Sequence, residues 1–97
     1  MFDQRQLSRE EQPAFLAIQN AMVENPPKSL RFQYTGKDGK QNDRHVEPYE
    51  LDTTDKGSLL KAHDIDADQT RQFYLARMSS VAQGGPFNAR HPIKIPL

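Results

Sequence analysis

The spacing of hydrophobic residues changes once along the chain, near residue 26. Before this point Phe15, Ile18 and Met22 recur every three or four residues, the spacing of a helix with one buried face. After it, hydrophobic and polar residues alternate, as in the segment 30–35. Alternation is typical of strands that bury one face. The pattern therefore predicts one helix followed by strands.

The helix is predicted over residues 9–24. Ser8 and Glu11 have the spacing of a capping box, in which the two residues satisfy each other's free amides at a helix start. Pro13 fits the first turn, where its missing amide costs little. The segment 25–27, Asn-Pro-Pro, ends the helix because proline excludes the helical conformation of the residue before it.

The remainder predicts about five short strands joined by hairpins. Their connections are too short for parallel crossovers, so the strands must be antiparallel. The expected fold is mainly β with one N-terminal helix, in the form of a curled sheet or partly open barrel. The alternating stretches lie near residues 30–35, 41–46, 49–53, 59–62 and 70–75.

A single domain is predicted over residues 1–83, with the barrel at about 29–81. The segment 84–86, Gly-Gly-Pro, is expected to break the regular structure, and residues 84–97 to form an extended tail. Within the domain, the acidic run 64–68 resembles the start of a calcium loop. Gln69 and Leu75 stand where such a loop needs glycine and glutamate, so we interpret the run as a solvated hairpin loop.

Composition excludes several classes of protein. The 97 residues include no cysteine, which excludes disulfides and thiolate zinc sites and suits a reducing, cytoplasmic setting. Thirteen basic residues balance thirteen acidic ones, which argues against non-specific coating of nucleic acid. Charged residues near the N-terminus exclude the apolar core of a signal peptide, and no apolar run is long enough to cross a bilayer.

Motifs for catalysis and for metals are absent from the sequence. It contains no Gly-x-Ser-x-Gly and no glycine-rich phosphate loop that leads into a helix. His45, His63 and His91 fall on different predicted elements, without the short spacing of a metal site. We therefore expect a binding protein and not an enzyme, with no cofactor and no metal.

Three arginines lie on or near successive predicted strands: Arg44, Arg71 and Arg77. In a curled sheet they can converge on one rim, where planar guanidinium groups suit phosphate or carboxylate. Alternatively, they are scattered surface charges paired with nearby acids. The spacing alone leaves both interpretations open.

Four blocks, in order and with hairpin-sized gaps, make residues 14–81 similar to the WYL domain family. Residues 30–34 form a strand ending in apolar-x-Tyr, and residues 44–51 read Arg-x-Val-x-Pro-x-x-Leu. Residues 57–62 read Gly-x-x-Leu-x-Ala, and residues 71–77 read Arg-x-Phe-x-Leu-x-Arg. The chain departs from the family at Ser58 and Leu59, which replace the Trp and Tyr of the name-giving motif.

The resemblance implies an Sm-like, or Src-homology-3-like, antiparallel β-barrel and a role as a regulatory sensor. It implies a negatively charged ligand such as nucleic acid, including single-stranded nucleic acid, or a nucleotide, and a partner such as a transcriptional regulator. The ligand-facing residues that it implies are Arg44, His63, Arg71 and Arg77, with Tyr34 and Ser58 beside them. The alternative is a protein–protein interaction or homodimerisation module, in which the tail segment 93–95 adds a strand to a neighbouring sheet.

Overall fold

The computed structural model describes residues 2–96, which form one five-stranded antiparallel sheet and one α-helix. The strand order is β4-β3-β2-β1-β5. The predicted mainly β class is thus confirmed, whereas closure into an Sm-like barrel stays a prediction. The elements are α1 (Gln12–Val23), β1 (Lys28–Thr35), β2 (Gln41–Thr54), β3 (Gly57–Asp64), β4 (Gln69–Tyr74) and β5 (Met78–Pro86).

The helix α1 begins three residues later than predicted. Glu11 reaches back to accept a hydrogen bond from the backbone amide of Ser8 at 2.9 Å, which is one half of the predicted capping box. The Glu11 amide bonds to the backbone carbonyl of Ser8 instead of its hydroxyl. The second carboxylate oxygen of Glu11 accepts from the amide of Ser58 at 2.7 Å, so this one residue ties the helix start to β3.

The core lies between α1 and one face of the sheet, which we call the core face. Ile18, Leu30 and Leu60 have no exposed surface there. Because alternate strand residues point the same way, Phe32 and Phe73 add their rings to this layer, with centroids 5.3 Å apart. The period-two pattern therefore identified the buried face correctly.

The strand β2 is longer than predicted. We expected two short strands separated near Pro48, but Gln41–Thr54 is continuous and Pro48 pairs with Ala62 in its middle. A register shift between Pro48 and Glu50 places an extra residue, Tyr49, in the strand. Such a bulge accommodates a residue that cannot donate to the ladder, which is why proline survives in a central strand.

The predicted break at Gly84-Gly85-Pro86 is wrong, because these residues belong to β5, which pairs with β1. Gly84 lies against the hydroxyl of Ser29 and the ring of His45. Ser29 donates a hydrogen bond to the carbonyl of Gly85 at 3.0 Å and contacts His45 Nε2 at 2.9 Å. The glycine is thus needed for close approach of β5 to β1 and not for a turn.

We expect Gly84→Ala to lower the free energy of unfolding by about 1–3 kcal/mol, the usual cost of forcing extra atoms into a packed site. A Cβ at this position would overlap the Ser29 hydroxyl and lie 3.2 Å from His45 Nε2. Gly85→Ala is the matched control, since its Cβ would meet nothing within 4 Å. Urea denaturation followed by far-UV circular dichroism compares the two variants, and equal losses would contradict this account.

The chain after β5 folds back on the domain; we call residues 87–96 the tail. Phe87 is buried and its amide bonds to the carbonyl of Pro27. Lys94 forms a parallel bridge with Glu50 of its own β2. The strand-forming segment 93–95, expected in the alternative function to pair with a neighbouring sheet, is therefore engaged within the same chain.

Within residues 2–96, no helix has both the length and the apolar character needed to cross a membrane.

Candidate ligand site

Two of the predicted arginines meet at one end of the core face. The register pairs Arg44 with Phe32 and Arg71 with Ala62, so both arginines point to the same side as these buried residues. Asp64, the last residue of β3, lies between them on the same face. The pairing of β3 with β2 on one side and with β4 on the other thus brings together residues that are far apart in sequence.

Both guanidinium groups contact the same oxygen of Asp64. Arg44 Nη1 lies 3.4 Å and Arg71 Nε lies 3.3 Å from Asp64 Oδ2. The other oxygen, Oδ1, accepts hydrogen bonds from the backbone amides of Asp66 and Ala67. The Asp64 side chain is only 1% exposed, so a fully buried carboxylate holds two partly exposed cations. The cluster carries one positive charge in excess.

Aromatic residues that pack against the Arg44 guanidinium also hold it in place. Its guanidinium carbon lies 5.9 Å from the ring centroid of Phe73, within the range of a cation–π contact. Phe73 is held in turn by edge-to-face contacts with the rings of Phe32 and Tyr34. The arginine is therefore positioned by packing as well as by charge.

The arginine pair retains unused hydrogen-bonding capacity. Arg44 Nε is buried and has no hydrogen-bond partner among the described residues, and Arg71 Nε has only its 3.3 Å ion-pair contact with Asp64. The side chains as a whole are 29% and 40% exposed. Since each guanidinium offers five donors in a planar fork, this pair can still bind an anion from solvent.

Asp64 belongs to this cluster although the sequence pattern did not single it out. We interpreted the run 64–68 as solvated, and the structure corrects this at its first residue, since Asp66 and Asp68 are exposed but Asp64 is not. The informative signal was its position at the end of a strand with alternating buried residues. Only the cross-strand register shows that two arginines face it.

Arg77 lies apart from Arg44, Arg71 and Asp64. Its guanidinium donates to the backbone carbonyl of Thr35 at 3.4 Å and lines a separate hollow of about 240 Å³ with Tyr34 and Tyr74. The Tyr34 hydroxyl accepts from the amide of Tyr74 at 3.0 Å and so links β1 to β4. The predicted convergence therefore joins Arg44 and Arg71, whereas Arg77 and Tyr34 form a second group.

His63 and Ser58 are not brought to the arginine pair. Successive strand residues face opposite sides, so His63 points away from Asp64, and its Nε2 lies 3.2 Å from Asp68 Oδ1. Ser58 is 1% exposed, and its amide is bound by Glu11. In this conformation Ser58 supports the helix–sheet contact and is closed to solvent.

A hollow of about 340 Å³ opens beside Arg44. Arg31 and His45 line it together with the carboxylates of Asp43 and Asp66. Two arginines and two aspartates therefore border one hollow, which offers both hydrogen-bond donors and acceptors. A ligand that carries both an anionic group and N–H donors would match this surface better than a simple anion.

One serine–histidine contact lies where β1, β2 and β5 meet. The Ser29 hydroxyl lies 2.9 Å from His45 Nε2 and 3.0 Å from the carbonyl of Gly85, and the tautomer of His45 determines the direction of the first contact. The contact stabilises the packing of β5 on β1.

Within residues 2–96, no group of three histidine or acidic side chains is placed to hold a metal.

Comparison with known proteins agrees with the observed fold and with the family resemblance of the four sequence blocks. The WYL domain model matches residues 13–83. Among solved structures, the chain is similar to proteasome accessory factor B/C (PafBC) of Arthrobacter aurescens, with a TM-score of 0.70 and 29% identity. The match covers 84% of this chain but only 13% of that one. Since the family model spans most of the chain, the protein belongs to the WYL domain family.

Proposed function

We propose that this chain is a regulatory, ligand-sensing module that binds a negatively charged ligand at Arg44 and Arg71. The observation that carries the proposal is the convergence of both guanidinium groups on one buried carboxylate, which leaves a positive charge in excess. Family membership supports a module of this kind. The proposed role is binding without catalysis.

The lining of the hollow favours a nucleotide or single-stranded nucleic acid over inorganic phosphate. A phosphate can accept from Arg44, which lines the hollow, and from Arg71, which meets Arg44 at Asp64 beside the hollow. The carboxylates of Asp43 and Asp66 can accept from base N–H groups, as aspartate does from cytosine. The same carboxylates would repel an anion that offers no donors. We therefore expect the ligand to bring both kinds of group.

Asp64 links the ligand site to a turn. Its Oδ1 holds the amides of Asp66 and Ala67, while its Oδ2 holds both arginines. A ligand that draws an arginine away from Asp64 changes the contacts that order the turn 65–68. In our proposal this change is what a partner, such as a transcriptional regulator in the cytoplasm, detects.

The test is fluorescence anisotropy with labelled single-stranded oligothymidine and with a labelled adenine nucleotide. We expect Arg44→Ala and Arg71→Ala each to raise the Kd by about tenfold to a hundredfold, because a charge-assisted hydrogen bond contributes about 1.5–3 kcal/mol. Binding should also weaken between about 50 and 200 mM salt.

Arg5→Ala is the matched control, since Arg5 is an exposed arginine paired with Asp3 away from the site. It should leave the Kd unchanged. Arg77→Ala distinguishes the two hollows, and the proposal expects little effect from it. Unaltered binding in both the Arg44 and Arg71 variants, with loss in the Arg77 variant, would move the site to the second hollow and overturn the proposal.

A further inference from the structure

The tail borders a third hollow, of about 450 Å³, on the face of the sheet opposite the core face. Three of its lining residues, His91, Pro92 and Lys94, belong to the tail. The others belong to β2, β3 and β4, so the tail and the sheet form the hollow together. Those sheet residues are Tyr49, Glu50, Lys61, Ala62 and Thr70.

Several contacts hold the tail over this hollow. The Arg90 amide donates to the Tyr49 hydroxyl at 2.9 Å, and Arg90 Nε lies 3.2 Å from Glu47 Oε1. The Lys94 amide donates to the Tyr49 carbonyl at 2.9 Å. Beyond it, Gln19 of the helix donates to the carbonyl of Pro96. The tail is thus fastened on both sides of His91.

The walls of the hollow are aromatic and apolar. The rings of Tyr49 and His91 meet edge to face, with centroids 5.2 Å apart. Pro92 adds a further apolar side chain to the lining. The volume lies within the range of small-molecule sites, and a planar ring is the shape that such walls accommodate best.

The charges at the hollow favour an anion. Lys61 and Lys94 line it together with one carboxylate, that of Glu50. Lys61 Nζ lies 3.7 Å from Asp52, and Lys94 Nζ lies 3.6 Å from Glu50. Contacts of this length between partly exposed side chains contribute little and are readily exchanged for others. Both ammonium groups can therefore turn to a ligand carboxylate.

We propose that the hollow beneath the tail binds a small aromatic monocarboxylate, with its ring against Tyr49 and His91 and its carboxylate at Lys61 and Lys94. This site is separate from the arginine pair and does not depend on it. Because the ligand contacts both the sheet and the tail, its binding stabilises the docked tail. The chain therefore carries a second ligand site, whose occupancy is coupled to the position of its C-terminal segment.

The experiment is a titration of the ¹⁵N-labelled full chain with benzoate, benzyl alcohol and benzylamine, followed by two-dimensional NMR. Benzoate should produce saturable shifts at the amides of Lys61, Thr70, His91 and Lys94. Benzyl alcohol should bind at the same place but more weakly, and benzylamine should produce no saturable shift there. No saturable shift with benzoate, or equal binding of benzylamine, would overturn the proposal.

Two sets of variants locate the site. The double variant Lys61→Gln, Lys94→Gln should raise the benzoate Kd by about tenfold or more, whereas benzyl alcohol binding stays unchanged. Lys37→Gln, an exposed lysine of the β1–β2 hairpin, is the matched control. Arg71→Ala should not alter benzoate binding. Loss of benzoate binding in Arg71→Ala, or its retention in the double variant, would place the carboxylate elsewhere and refute the assignment.

Discussion

Replacement of Asp64 by alanine should lower the free energy of unfolding by about 3 kcal/mol, because it leaves two arginines at the core edge without their counter-charge. Asp64 is 1% exposed and holds Arg44 and Arg71 through one oxygen. It also accepts two backbone hydrogen bonds through the other. Urea denaturation followed by far-UV circular dichroism measures the loss.

Two further variants separate the contribution of the Asp64 charge from that of its hydrogen bonds and of a neighbouring carboxylate. Asp64→Asn keeps the shape of the side chain and one acceptor for the turn but removes the charge. The stability that this variant loses therefore measures the contribution of the ion pairs. Asp66→Ala removes a neighbouring exposed carboxylate and should change the stability by less than about 0.5 kcal/mol. A loss below about 1 kcal/mol in Asp64→Ala would mean that solvent screens the arginines despite the burial of their partner.

The second large effect is expected at Glu11, a buried carboxylate that accepts from Ser8 and Ser58. Glu11→Ala should cost about 2 kcal/mol, mainly because the buried Ser58 amide loses its partner. Glu11→Gln should also be destabilised, since an amide offers one acceptor oxygen to two backbone donors. Glu10→Ala, at the exposed neighbouring position, serves as the control.

The Glu11 effect should depend on pH. Burial acts to raise the pKa of this carboxyl, but the hydrogen bonds from Ser8 and Ser58 outweigh it and lower the pKa below its ordinary value. A group with a lowered pKa in the folded state stabilises the protein above its unfolded pKa, about 4.3, and loses this contribution as the pH falls through the folded value. The difference in the free energy of unfolding between wild type and Glu11→Gln should therefore be largest near neutral pH and become smaller in acid. A difference that stays constant down to acid pH would contradict this.

The helix and the sheet face could be predicted from the sequence because local spacing determines them. Phe15, Ile18 and Met22 define one helical face, and all three are buried. The errors fell where tertiary contacts override local preference. Pro48 reads as a strand end, but a bulge retains it within β2. Gly84 reads as a break, but a close approach to β1 requires it.

The candidate site was predictable only in part, for a similar reason. Arg44 and Arg71 were identified because guanidinium groups on different strands of one curled sheet can converge, and in the structure they share Asp64 of the strand between them. Burial of Asp64 itself depends on register across three strands, which no local pattern encodes. Arg77 follows the end of β4 in a short helical turn, so alternation could not give its direction.

The position of β1 between β2 and β5 has a consequence for biosynthesis. β1 pairs on one side with β2, which follows it directly, and on the other with β5, which begins only at Met78. While the ribosome is still making the intervening strands, β1 therefore exposes an unpaired edge of backbone amides and carbonyls. Until β5 emerges, that edge is open to association with other nascent chains or to capture by chaperones.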